Sequence, residues 1–146
     1  PIYIIACTSW LFPRGTTRDN KFYGNILRQL STTAIVALGD VYGSPTYGKD
    51  YIAAIKKMLA EEQMGIVHIA NGGVATRYDL ASHIVEQLKP SVTVKAVDRN
   101  FFASAMALPT NESIISKRCV LRPWKEALEE YIENEWKPHL QSVKII

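Results

Sequence analysis

The chain has 146 residues, 47% of them hydrophobic, with 17 Lys and Arg against 14 Asp and Glu. That is one domain's worth of chain with enough apolar content to bury a core, and its scattered charges form no basic stripe of the kind that tracks nucleic-acid phosphates. No apolar run approaches the ~18 residues a membrane helix needs, and no signal-peptide pattern opens the chain, so a soluble, intracellular, cytoplasmic protein is expected. Cys7 and Cys119 are too few for a disulfide framework, lack metal-ligand spacing, and read as free thiols.

The run Ile2 to Ala6 is continuously apolar, as in strands covered on both faces. Such a strand needs neighbours and crossover helices of which this chain supplies few, so Pro1 is expected not to be the natural beginning. Thr8-Ser9-Trp10 follow, then a loop from Leu11 to Asp19. In open α/β sheets ligands sit beyond the carboxyl ends of strands. The Thr8 to Trp10 corner is therefore a candidate site, with core packing as the other reading of Trp10. A helix is expected from about Asn20 to Leu30, with Phe22, Ile26, Leu27 and Leu30 on one face, and a short strand from Ala34 to Leu38.

The next stretch, Gly39 to Asp50, is a twelve-residue connection with three glycines and one proline. Surface turns share that composition, but long ordered loops in compact domains are usually functional. Pro45 sets its own φ and restricts Ser44, while Gly43 and Gly48 permit turns, so the loop is stiff and presents Thr46 and Tyr47. A helix from Asp50 to about Gln63 carries Ile52, Ile55 and Leu59 on one stripe and closes at Gly65. Ile66 to Ala70 is a second apolar strand, in which His68 reads as a core histidine. Asn71-Gly72-Gly73 is a turn, not a dinucleotide fingerprint. Thr76 to Asp79 fits a capping box opening a helix with Leu80, Ile84, Val85 and Leu88 buried, stopped by Pro90. Val92 to Val97 reads as a strand, and Arg99 to Lys117 has little periodicity. Arg122-Pro123-Trp124 opens the last helix with Pro at N1. Leu128, Tyr131 and Ile132 face inward, and Glu126, Glu129, Glu130, Glu133 and Glu135 form a solvated face.

Tyr42-Gly43-Ser44-Pro45-Thr46-Tyr47 with Asp50 shortly after, together with Trp10 and Arg122-Pro123-Trp124, resembles the dTDP-4-dehydrorhamnose reductases of the extended short-chain dehydrogenase/reductase superfamily. The likeness covers almost the whole chain but only the second half of such an enzyme. The fold it implies is α/β: Rossmann-like parallel sheet strands plus a small α/β substrate-binding subdomain. Residues 1–146 are then the substrate-binding half, with the N-terminal NAD(P)-binding half absent. The resemblance implies that Trp10 packs on the deoxysugar, that Thr8 and Ser9 border the nicotinamide, and that Thr46, Asn111 and Lys21 help hold the nucleotide. Lys21 stands where the family carries an asparagine against the diphosphate; a solvated helix-start lysine is its other reading. Three positions depart from the family: Cys7 (usually Arg), Val41 (usually Gln) and Leu108, in place of an arginine that grips phosphate. Asn111-Glu112 followed by Ser116-Lys117 also resembles bifunctional epimerase/4-reductases that make UDP- or dTDP-rhamnose, so the sugar nucleotide is dTDP- or UDP-linked.

Reduction of a keto-sugar needs a cofactor cradle, normally a glycine-rich turn at a helix N-terminus, and a proton donor, in this superfamily a Tyr-x-x-x-Lys pair. All seven tyrosines lack a lysine four residues on, and the glycine-rich fingerprint, Gly-x-Ser-x-Gly and His-Glu-x-x-His are absent too. The chain by itself is therefore not expected to catalyse. The resemblance implies that NADP or NAD is bound mainly by the missing half, and it leaves a homodimer open. The alternative within the family is a non-catalytic subunit similar to the regulatory subunit of methionine adenosyltransferase. A stand-alone nucleotide-sugar binder ranks lower, because its first strand is left exposed.

Overall fold

The computed structural model describes residues 3–13, 15–16, 22–102, 109–144 and 146. The chain runs through β1 (Ile4–Cys7), β2 (Leu11–Phe12), α1 (Phe22–Arg28), β3 (Ala34–Leu38), β4 (Tyr42–Gly43), β5 (Thr46–Tyr47) and α2 (Gly48–Ala60). It continues with β6 (Gly65–His68), β7 (Ala75–Thr76), α3 (Arg77–Leu88), β8 (Thr93–Val97), β9 (Asn111–Glu112), α4 (Trp124–Tyr131) and α5 (Lys137–Ser142). A wide helical turn, Ile132–Trp136, joins the last two helices.

Most pairings are parallel and join distant parts of the chain. β1 pairs with β6, β2 with β5, and β3 with β8, all parallel. β4 lies between β7, antiparallel, and β9, parallel. Parallel partners need crossover connections, and α1, α2 and α3 lie in them. The result is the mixed α/β fold with parallel strands expected above.

Two apolar clusters hold it together. In the smaller, Ala54 and Met58 of α2 sit on Val67 and Ile69, with Ile4 and Ala6 packed alongside. In the larger, α1, α3, α4 and α5 converge on Phe12, Tyr47 and Ile35. The expected stripe of α2 is corrected here: Ile52 and Leu59 are 51% and 61% exposed, and Ala54 and Met58 carry the burial. The strand pair beneath is too narrow to cover the whole apolar arc of the helix. The end of α2 is corrected too. Glu62, at φ 53°, stops the helix, with Gln63 N donating to the Met58 carbonyl (2.9 Å) and Glu62 N to that of Leu59 (3.2 Å), a Schellman closure. Gly65, at φ 90°, instead starts β6.

His68 is also corrected, because its side chain is exposed. Successive strand residues alternate faces, and Val67 takes the face under α2, which turns Ile66 and His68 outward. Tyr3, Ile5 and Ile66 are 52%, 50% and 60% exposed, so the face of the β1–β6 pair away from α2 is apolar and uncovered. The capping box forms as read: Asp79 N donates to Thr76 Oγ1 (3.0 Å) and Thr76 N to Asp79 Oδ2 (2.8 Å). Pro123 caps α4 from one residue further out than N1. Among the described residues no helix is long and apolar enough to cross a membrane.

Candidate functional site

The corner after β1 is held in a conformation that its sequence does not favour. Trp10 has φ 37°, a left-handed backbone that bulky side chains rarely adopt and that surrounding structure must over-determine. Its carbonyl accepts from Thr46 N (3.2 Å) and from the Tyr23 hydroxyl (3.3 Å). Its indole Nε1 donates to Glu112 Oε2 at 2.5 Å. Gly43 packs so closely on the indole that a Cβ there would overlap the ring, which explains a glycine at this point of the loop. The Arg77 guanidinium lies 3.8 Å from the centre of the Trp10 ring and 4.7 Å from that of Phe22.

Ser9 and Ser44 lock the strand end to the loop and to the segment after β9. Ser9 Oγ donates to the Glu112 carbonyl (2.8 Å) and accepts from Ser44 N (3.4 Å). Ser44 Oγ donates to the Ile114 carbonyl and accepts from Ile114 N, both at 3.0 Å. Thr8 Oγ1 is buried and has no hydrogen-bond partner among the described residues. Asn111 is exposed beside this corner, opposite Tyr42 in the β4–β9 ladder, and its Oδ1 accepts from Ser113 N. Thr46 is fully buried and its hydroxyl donates to the Ser44 carbonyl (3.2 Å), so in this conformation it shapes the loop and presents nothing to a ligand. Lys21 and Leu108 lie outside the described residues. The structure thus brings Thr8, Ser9, Trp10 and Asn111 to one place and adds Glu112 and Arg77, to which sequence reasoning assigned no role at the site. Arg77 carried one signal: a cation in the first turn of a helix opposes the macrodipole.

Behind the corner, the loop from Gly39 to Asp50 is clamped by charge. Asn71 Oδ1 accepts from Tyr47 N (2.8 Å), and Asn71 Nδ2 donates to Asp50 Oδ2 (2.8 Å) and to the Arg122 carbonyl (3.1 Å). Arg122 grips Asp50 with Nε and Nη2 at 2.8 and 2.9 Å, and reaches Glu130 with Nη1 at 2.6 Å. Lys49 completes the chain on Glu130 at 2.5 Å. The Lys49 hydrogen bond, then that of Arg122, holds the Glu130 carboxyl below the usual carboxylate range, and Asp50 with Glu130 raises the Arg122 pKa. The expectation of a wholly solvated acidic face on α4 is corrected accordingly, since Glu130 serves this clamp and Glu129 meets the buried His83 at 3.0 Å.

Beside Arg77 a cavity of about 420 Å³ opens between α1 and β3, lined by Phe22, Asn25, Gln29, Val36 and Phe102 among others. At the tips of β3 and β8, burial opposes the Asp40 carboxylate, but Arg99 at 3.0 Å outweighs it and keeps the carboxyl below its ordinary value. Cys119 lies in a separate hollow between α2 and the segment before α4, where burial pushes its thiol up, offset in part by Lys57. Among the described residues no cluster of His, Cys, Asp or Glu is placed to hold a metal ion. The arrangement can stack, bind and orient a ligand.

The RmlD substrate binding domain matches residues 1–136 of the 146. The chain belongs to that family. The spore coat polysaccharide biosynthesis protein SpsK of Bacillus subtilis (strain 168) is 29% identical over 137 residues, covering 89% of this chain and 47% of SpsK. The solved dTDP-4-dehydrorhamnose reductase of Yersinia enterocolitica superposes with a TM-score of 0.84 at 26% identity, covering 89% of this chain and 48% of that one. The reductase of Bacillus anthracis str. Ames, in complex with NADP, gives 0.81 at 26% identity over 90% and 48%. The RmlD-type domain described here therefore spans about half the length of these relatives, with the α/β fold of extended, Rossmann-type reductases.

Proposed function

We propose that this chain is the substrate-binding half of a nucleotide-sugar 4-ketoreductase that reduces dTDP-4-dehydro-L-rhamnose, or the UDP-linked counterpart, with NADPH or NADH. The observation that carries this reading is the held Trp10, at the carboxyl end of a parallel strand and stacked on the arginine that walls the cavity between α1 and β3. In a family named for substrate binding, Trp10 forms the wall for the deoxysugar and Asn111 lies beside it, with Lys21 a further nucleotide contact. The cofactor supplies the hydride and is held mainly by a nucleotide-binding half outside this chain. Thr8, whose buried hydroxyl lacks a partner among the described residues, and Ser9 border it. The uncovered apolar face of the β1–β6 pair supports such a half, because parallel strands are buried on both faces as a rule.

A second reading, a non-catalytic binding subunit of the same family, is favoured by Val41. It is 4% exposed, so the amide usual at that position is replaced by a side chain with no polar group. Assay of the protein as its source makes it separates the two. Oxidation of NADPH or NADH on adding dTDP-4-dehydro-L-rhamnose, or its UDP counterpart, is expected for the reductase. Tight sugar-nucleotide binding without turnover supports the subunit, and absence of both binding and turnover refutes both readings.

A further inference from the structure

Arg77 is placed where a cation is poorly served by its own chain. It opens α3, and positive charge in the first turn of a helix opposes the macrodipole. The acid that could compensate, Asp79, is committed to the capping box through Thr76. Glu112, which Arg77 feels electrostatically, spends its carboxylate on the Trp10 indole. Burial draws the Arg77 pKa below the ordinary arginine value, with Tyr23 and Glu112 opposing. Among the described residues the guanidinium has two aromatic neighbours, Trp10 and Phe22, and no carbonyl or carboxylate accepts from its N–H groups. A guanidinium carries five donors in one plane, and leaving them without acceptors in a half-buried position is costly.

Rings contact a guanidinium through its face, which leaves the in-plane N–H edge free, and that edge matches the paired oxygens of a phosphate. The same side chain lines the cavity between α1 and β3, about 420 Å³ in volume, whose other walls are aromatic (Phe22, Phe102), aliphatic (Val36) and amide (Asn25, Gln29). Such walls suit a flat, hydrogen-bonding ring system and its sugar, and Arg77 stands between them and Trp10.

We propose that Arg77 grips the diphosphate of a nucleotide sugar, its N–H edge on the phosphate oxygens while base and ribose occupy the cavity and the second sugar lies toward Trp10. This deepens the nucleotide-sugar reading and rests on it. It makes Trp10 and Arg77 one unit, in which the indole holds the guanidinium flat and the bound phosphate supplies the missing acceptor.

The test is a titration of the protein as its source makes it, with dTDP, UDP, thymidine and pyrophosphate, on the parent, Arg77→Gln and Arg77→Lys. Arg77→Gln is expected to weaken dTDP, UDP and pyrophosphate by about tenfold or more, the loss of a charge-assisted bidentate pair, while thymidine binding stays the same. Arg77→Lys, which keeps the charge but not the fork, is expected to fall between. The salt dependence of dTDP affinity is expected to flatten in Arg77→Gln. Equal weakening of thymidine and dTDP by both variants overturns the proposal in favour of a scaffold under Trp10, and so does unchanged dTDP affinity in Arg77→Gln. Binding of pyrophosphate that depends on Arg77, with no binding of dTDP or UDP, keeps the phosphate contact and removes the nucleotide-sugar reading.

Discussion

Phe12→Ala is expected to lower the unfolding free energy by about 3–5 kcal/mol, the cost of removing a fully buried aromatic ring and leaving a cavity. Phe12 has no exposed surface. Its ring lies 4.6 Å from Tyr23, 5.2 Å and nearly parallel to Tyr47, and 5.4 Å from Tyr131, centre to centre. Those partners come from α1, β5 and α4, so one side chain ties the loop and two helices to the strand that follows Trp10. Urea unfolding of parent and variant checks the value from the shift in midpoint at unchanged slope. Because Phe12 sits two residues beyond Trp10, the variant is also expected to lose affinity for dTDP or UDP. A cost below about 1 kcal/mol, well outside the range for such sites, refutes the cluster as the anchor of the corner.

Arg122→Ala is expected to cost about 3 kcal/mol, at the low end for breaking a buried ion pair by removing one partner. The Arg122 side chain is 31% exposed against 15% for Asp50, and solvent screens part of the interaction. What remains is Asp50 with its Asn71 bond and no cation, at the point where the loop enters α2. Asp50→Ala combined with Arg122→Ala is expected to cost less than the sum of the two, since both remove the same contact; strict additivity in urea unfolding refutes the clamp. The clamp also has an acid limb. Glu130 has a folded pKa depressed by Lys49 and Arg122. Its stabilisation is therefore complete above the unfolded glutamate pKa, near ~4.3, and drains as pH falls through the lower folded value. With Arg122 removed, the depression is smaller, and the loss of stability on acidification is expected to be shallower.

Taken together, the charged clamp and the aromatic cluster explain how a strained tryptophan is maintained. A left-handed φ at Trp10 costs on the order of 1–3 kcal/mol. The strand end cannot relax because its carbonyl is bonded by Thr46 and Tyr23, its ring by Glu112, and the loop behind it by Asn71 and Arg122. Such a conformation persists only where the surrounding structure over-determines it, as it does here.

Much of this was legible in the chain order. Period and punctuation place several elements: the Thr76–Asp79 box, the stop at Pro90 and the apolar stripe of α3 form as read, and the apolar run before Thr8 forms a strand, though with one face uncovered. In the loop from Gly39 to Asp50 the close approach at Gly43 forms against Trp10, but Thr46 and Tyr47, which the loop was expected to present, are both buried. Local signals cannot say which face of an element meets another. Ile52 and Leu59 of α2 are exposed and Ala54 and Met58 buried because only two strands lie beneath them, and His68 points outward because Val67 took the inner face.

The partners of the site were decided by the tertiary structure. Trp10 and Glu112 are separated by 102 residues, Asp50 and Arg122 by 72, and no periodicity relates positions so far apart. The sequence by itself determined the longer strands and the helices, and that Trp10, Thr8 and Ser9 follow a strand, because those depend on residues a few places apart; the two-residue strands β2, β4, β5, β7 and β9 exist only through their distant partners. Folding decided that Arg77 would stack on Trp10, that Thr46 would be sealed inside and that Glu130 would join a clamp. Those outcomes depend on which distant surfaces come to share one small volume, and only the packed chain specifies that.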